Sequence, residues 1–228
     1  MKLFPTIEEV FESPNEIHRT LFFPLLTINL EEMEKGKGLV HFVSVWGCGG
    51  AEPFLISDDI NYGFDFIKFD WTGERYVFDN HLFAPEYKET LLKWYSEIEK
   101  EYLENKSDYL TPKTSQEVNT SNLVKRETER AKMNGAFDTY AKSLINYWVT
   151  RDKYFETGKL IQGSAYTHAY DDEIRRAYIS LSKTKETKLS KELVGKVCGY
   201  NYKIYDVGEI GLYIDRKQQK VFQKFKWD

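Results

Sequence analysis

Cysteine is nearly absent. The 228 residues hold two, Cys48 and Cys198, too few for a disulfide scaffold. Proline and glycine are also scarce, at 6 and 14 residues, which excludes collagen-like and low-complexity chains. No apolar run approaches the ~18 residues that indicate a membrane span. The opening, Met1-Lys2-Leu3-Phe4-Pro5, runs into Thr6-Ile7-Glu8-Glu9 without the apolar core or small-residue cleavage site of a signal peptide. A cytoplasmic location with free thiols is therefore expected. Cofactor signatures are missing as well. Gly36-x-Gly38 follows a charged turn and Gly208-x-x-Gly211 leads into a strand, so neither reads as a phosphate-binding loop. His18, His41, His81 and His168 are scattered, with no Cys-x-x-Cys or His-x-x-x-His spacing. No metal and no cofactor are expected.

What the sequence does hold is apolar and aromatic: 41% of residues are hydrophobic and 16% aromatic, too many for a disordered chain. The net charge of -4 conceals an asymmetry. Residues 1–110 carry 10 Lys+Arg against 21 Asp+Glu, a net of -11; residues 111–182 are at +2 and residues 183–228 at +5. An acidic front half repels phosphates, disfavours nucleic acid there, and suits a basic partner.

Local patterns give an order of elements. Thr6-Ile7-Glu8-Glu9 is a capping box and predicts a short helix ending before Pro14. Leu21 to Leu30 leans towards strand, with Pro24 denying one ladder donor and indicating an edge or a bulge. Gly38 to Trp46 is apolar on both faces and reads as a central strand. Pro53 to Ile56 is a further short strand. Asn61 to Trp71 and Arg75 to Asp79 flank a hairpin turn at Thr72-Gly73-Glu74, and the switch of apolar face at Phe66-Ile67 predicts a bulge.

The texture then becomes helical. Pro85 suits a first helical position, and Tyr87, Leu91, Trp94, Tyr95, Ile98 and Tyr102 follow at helical spacing. Lys106 to Gln116 reads as a polar loop, residues 117–133 as weakly amphipathic, and Asn134-Gly135 as a break. Phe137, Tyr140, Ala141, Leu144, Ile145 and Trp148 form a second stripe. Asp171 or Asp172 caps a last helix that buries Ile174, Ala177, Tyr178 and Leu181. Alternation returns at Tyr200 to Ile204, Ile210 to Ile214 and Val221 to Trp227, where Gln223 interrupts the apolar positions. The expected fold is α+β: a mixed, mainly antiparallel sheet built from N- and C-terminal strands with a helical middle. A single domain over 1–228 is preferred, with sub-regions 1–83, 84–182 and 183–228; lobes at 1–110 and 111–228 are the alternative.

Few residues suggest chemistry. Cys48, in the turn Gly47-Cys48-Gly49-Gly50, could act as a nucleophile with His41 or His81 as base, although a small buried residue in a strand-ending turn serves as well. Asp58, Asp59, Asp65 and Asp70 are candidate acidic binding residues. Lys217, Lys220, Lys224 and Lys226, interleaved with Phe222, Phe225 and Trp227, could form a basic aromatic strand for single-stranded nucleic acid. The simpler reading puts the lysines on the solvent side of an amphipathic strand that buries Phe225 and Trp227.

Three segments resemble the YwqG-like family of uncharacterised bacterial proteins: Leu25 to Met33 with Lys37 to Val43, Asp58 to Phe66, and Val207 to Ile214 with Phe225-Lys226-Trp227-Asp228. The resemblance implies a mainly antiparallel sheet protein with no assigned reaction, and residues 84–182 depart from it. The stretch from Phe54 to His81, with the helix beginning at Pro85, is similar to SMI-type immunity proteins, without that family's leading helices. Together these readings point to a cytoplasmic, non-catalytic binding or immunity-type protein whose acidic front half meets a basic protein, without membrane or nucleic-acid partners. A cysteine-dependent hydrolase or transferase is the alternative. An oligomerising accessory protein is a third reading.

Overall fold

The computed structural model describes residues 1–46, 62–63, 65–78, 85–111, 117, 121–158, 180–181, 187–188, 191–199 and 207–227. They belong to two compact units, Met1–Lys88 with Tyr178–Gly199 and Asp206–Asp228, and Glu89–Ala177 with Tyr200–Tyr205. The fold is α+β, with antiparallel sheets from the two ends of the chain and helices in its middle.

The first unit holds two sheets. One has the order β1 (Lys2–Leu3), β2 (Phe22–Asn29), β3 (Leu39–Val45). The other runs β4 (Tyr62–Gly63), β5 (Phe66–Trp71), β11 (Lys220–Trp227), β10 (Val207–Asp215), β9 (Lys191–Val197), β7 (Ser180–Leu181), with β6 (Tyr76–Val77) beside β5 and β8 (Thr187–Lys188) beside β9. Every ladder between these strands is antiparallel. Helix α1 (Ile7–Val10) starts at the expected capping box: the Glu9 amide donates to Thr6 Oγ1 at 3.3 Å and the Thr6 amide to Glu9 Oε2 at 2.8 Å. Helix α2 (Glu16–Leu21) is capped by Asn15, whose Oδ1 accepts from the Ile17 and His18 amides. Pro24 does mark a bulge, since the β2–β3 register shifts between Pro24 and Leu26.

Three strand expectations change. Asn61 to Trp71 is not one strand with a bulge. The chain reverses, placing Tyr62 opposite Ile67 and Gly63 opposite Phe66, so the switch of apolar face marks the exit from a tight hairpin. Gly63 permits it, because a Cβ there would lie 2.3 Å from the Phe66 ring. Leu181, expected on a helix, lies in β7, opposite Gly195. The rest of that helix, the Pro53 to Ile56 strand and the Tyr200 to Ile204 strand lie outside the described residues.

The third change concerns β3, which is buried throughout from Val40 to Val45 yet is the edge of its sheet. Its outward backbone groups are met by side chains and turns of the second sheet. The Tyr76 hydroxyl accepts from the His41 amide at 2.6 Å and donates to the His41 carbonyl at 2.7 Å. Gln223 Oε1 accepts from the Val43 amide at 2.8 Å. The Leu39 amide donates to the Gly73 carbonyl, and Trp71 Nε1 donates to the Leu39 carbonyl, both at 2.9 Å. Gly38 is required here: at φ 117°, a Cβ would fall 2.4 Å from the Gly73 oxygen. The core around this edge is aromatic. Tyr76 stacks on Phe69 at 4.9 Å, and Phe11, Phe22 and Phe78 pack against Phe69 edge-on.

The second unit is helical: α3 (Pro85–Glu104, whose first residues belong to the first unit), α4 (Lys106–Leu110), α5 (Asn122–Met133) and α6 (Gly135–Thr157). Lys106 to Leu110 is helical where a loop is expected, because Tyr109 buries its ring against Tyr102 and donates to Glu101 at 2.7 Å. Asn134 breaks the chain as expected, its Oδ1 capping the Ala136 and Phe137 amides. The α6 stripe is buried except for a half-buried Phe137. Its polar side is buried too, at Asp138, Ser143, Asn146, Thr150 and Lys153. Charged side chains of α3, α5 and α6 pair with one another. Arg130 grips Glu101 with contacts of 2.6 and 2.8 Å and reaches Asp138 at 3.2 Å, and Lys142 joins Asp138 at 2.9 Å and Glu127 at 2.5 Å.

Removing the groups that satisfy the β3 edge sets two costs apart. Tyr76→Phe strands two buried backbone groups and is expected to cost about 1–3 kcal/mol. Gln223→Leu strands the Val43 amide but also deletes Gln223 Nε2, a buried donor with no partner. Its cost is expected to be the smaller of the two. Urea unfolding of both variants measures the difference, and a larger loss for Gln223→Leu contradicts this account of the edge.

Candidate functional site

The residues proposed for cysteine chemistry can be placed only in part: Cys48 and His81 lie outside the described residues. His41 sits on β3 and is 1% exposed. Its Nε2 contacts the Glu74 carbonyl at 2.8 Å and its Nδ1 contacts Thr27 Oγ1 at 2.9 Å. A carbonyl can only accept, so Nε2 carries the proton and Nδ1 accepts from the threonine hydroxyl. Both ring nitrogens are therefore engaged, and removing a proton from a thiol would first require breaking the Thr27 bond. Burial lowers the His41 pKa from 6.5 to about 4, against the opposing pull of its bond to Glu74. His18 resembles it. It packs edge-on against Phe11 and Phe78, and burial lowers its pKa to about 4. Cys198 is a half-buried free thiol. Among the described residues no group of His, Cys, Asp and Glu is arranged to hold a metal ion.

Of the acidic candidates, Asp58 and Asp59 lie outside the described residues. Asp65 and Asp70 flank and end the outward row of β5, and each meets a lysine of β11: Lys224 lies 3.4 Å from Asp65, and Lys220 2.7 Å from Asp70. These contacts follow from the register, which sets Lys220 opposite Asp70 and Lys224 opposite Phe66. The basic closing segment thus neutralises part of the acidic front half.

The same outward face carries an aromatic row. Phe66, Phe222 and Tyr213 project from β5, β11 and β10, with Phe66 and Phe222 nearly parallel at 5.5 Å and Phe222 and Tyr213 edge-on at 6.4 Å. Lys191 Nζ lies 3.8 Å from the Phe222 centroid, and Lys68 Nζ lies 5.5 Å from that of Phe66. All five side chains are half-buried. Beside the row is a groove of 430 Å³, lined by Asp65, Glu209, Gly211, Tyr213, Lys224 and Lys226. Three of the row's members, Phe66, Tyr213 and Lys191, come from separate strands, so no linear motif announces them. The signal available in the sequence was parity along β11. Phe222 shares the outward set with Lys220, Lys224 and Lys226, whereas Phe225 is buried beneath them.

The two histidines make stability depend on pH. Each has a folded pKa of about 4, below the unfolded value of about 6.5, so the unfolded state binds more protons between these limits. Stability is complete above about pH 6.5 and falls as pH drops through about 4. Thermal melts across this window are expected to show a falling midpoint, and a shallower fall in His41→Gln. A midpoint that is flat from pH 7 to 4 contradicts the assignment of both rings as neutral. Comparison with protein-family models, curated proteins and solved structures gives no match to the chain.

Proposed function

We propose that the chain is a non-catalytic binding protein of immunity type, whose acidic front half recognises a basic protein partner. The observation that carries this reading is the net charge of -11 over residues 1–110. Such a field raises the on-rate of a basic partner and steers its approach. Exposed carboxylates support it. Glu31, Glu32 and Glu34 crowd the turn between β2 and β3, where Glu32 pairs with the Met1 ammonium at 3.0 Å, and Glu16 is exposed at the start of α2. Asp58 and Asp59 add two further charges in sequence. Asp65 and Asp70 contribute less, because Lys224 and Lys220 already screen them. The structural use of both His41 nitrogens favours binding over cysteine chemistry, and the similarity of residues 54–81 to SMI-type immunity proteins suggests the kind of partner.

The test is kinetic. A partner recovered on the immobilised chain, identified and purified, is expected to be basic. Its on-rate should fall at least about tenfold between low and high salt. Asp58→Asn with Asp59→Asn, and Glu31→Gln with Glu34→Gln, should each slow association while leaving dissociation nearly unchanged. An acidic partner, or an on-rate indifferent to salt, rejects the reading.

A further inference from the structure

The outward face of the second sheet has the opposite character from the acidic front. Its carboxylates Asp65, Asp70 and Glu209 are matched by Lys224, Lys220 and Lys196 at 3.4, 2.7 and 2.8 Å. Lys191 and Lys226 have no carboxylate partner among the described residues, and Asp215 caps the β10–β11 turn by accepting from the Gln218 amide at 3.0 Å. The face is therefore cationic around a row of three rings.

We propose that this face binds single-stranded nucleic acid, with bases stacking on Phe66, Phe222 and Tyr213 and phosphates meeting the surrounding lysines. This inference goes beyond the basic-partner reading and does not depend on it. The chemistry is that of a stacking platform. Every base has a π-face, aromatic side chains receive it without regard to sequence, and lysines follow the backbone. A duplex hides its base faces in its own stack, so only an unpaired strand can use the rings. The ring centroids lie 5.5 and 6.4 Å apart across three adjacent strands, which offers successive bases separate seats. The ammonium of Lys191 already rests on Phe222 at 3.8 Å. A base arriving there displaces it sideways, towards the phosphate that the same nucleotide brings. The groove beside Tyr213, with Lys224 and Lys226 on its rim, continues the path along the sheet. The two front-half carboxylates on this face, Asp65 and Asp70, are paired to lysines of the closing strand.

The experiment is fluorescence anisotropy of labelled twelve-nucleotide oligo(dT) and oligo(U) with the full chain at low salt, repeated across a salt series. Saturable binding is expected, with log affinity falling linearly as log salt rises. Phe222→Leu keeps apolar bulk but removes the ring and is expected to weaken binding roughly tenfold; Phe222→Tyr should retain it. Lys226→Glu should weaken binding and flatten the salt slope, whereas Lys2→Glu, at an exposed position on β1 of the first sheet, should change neither. Circular dichroism and the melting midpoint confirm that each variant is folded. The proposal is overturned by any of four results: no saturable binding, affinity unchanged in both Phe222→Leu and Lys226→Glu, equal affinity for polyglutamate, or competition by uridine monophosphate at the concentration of the twelve-mer.

Discussion

A β-strand at the edge of a sheet leaves alternate amides and carbonyls without a neighbour, and in β3 that edge is buried. Buried unpaired backbone groups cost too much to leave, so the second sheet must supply partners where no strand does. Tyr76 answers both groups of His41, Gln223 answers Val43, and Trp71 and Gly73 answer Leu39. These contacts fix the two sheets in one registration, because a shift of one sheet against the other breaks several bonds together. Much of the first unit follows from this. Gly38 must be glycine, Tyr76 must be fully buried, and the ring of His41 is held between Thr27 and the Glu74 carbonyl. The arrangement also removes an aggregation hazard, since an edge capped by side chains has no free ladder to offer another chain.

Electrostatics is organised on the same scaffold. The sequence separates acidic front from basic closing segment, and the pairing of β5 with β11 brings the two together. Exposed pairs such as Asp70–Lys220 contribute little to stability; their effect is on which charges remain unmatched. On the outward face of the second sheet the surplus is cationic. The turn between β2 and β3 keeps its carboxylates exposed, although the same turn sends Lys35 inward to Glu192 and the Leu193 carbonyl at 3.0 and 3.1 Å. Inside the helical unit Glu101, Arg130, Asp138 and Lys142 close on one another, as burial demands.

Local chemistry was legible in the sequence where it acts over a few residues. The Thr6–Glu9 box, the break at Asn134-Gly135, the turn at Thr72-Gly73 and the irregularity at Pro24 all read from neighbours in the chain. So did the strands at Ile210 to Ile214 and Val221 to Trp227 and the α+β order, whereas Lys191–Val197 was not legible as a strand. What resisted reading depends on distant partners. An apolar run like Gly38 to Trp46 looks central because both its faces are buried, and nothing local says that its edge is met by side chains. Gln223 breaks the alternation of β11, and only β3 explains why a polar residue belongs there. The polar side of α6 gives no sign of burial because what buries it lies elsewhere in the chain. The candidate site shows the same division. Acidic residues were visible as a count, but the lysines that neutralise Asp65 and Asp70 follow from register. The aromatic row needs residues 66, 213 and 222 brought side by side.

The pairing of β5 with β11 joins residues 150 positions apart, as Asp70 and Lys220 show, and the helical unit is threaded between them. Loop-closure entropy grows only with the logarithm of length, each doubling costing about 0.6 kcal/mol. The intervening helices therefore tax the stability of the sheet very little. Their burden falls on time. Helical contacts are local and form early, whereas a sheet that must join its first strands to its last forms late. Until β11 arrives, Val43 has no glutamine to meet and β5 lacks one neighbour. The nascent chain cannot complete its first unit before β11 has been made.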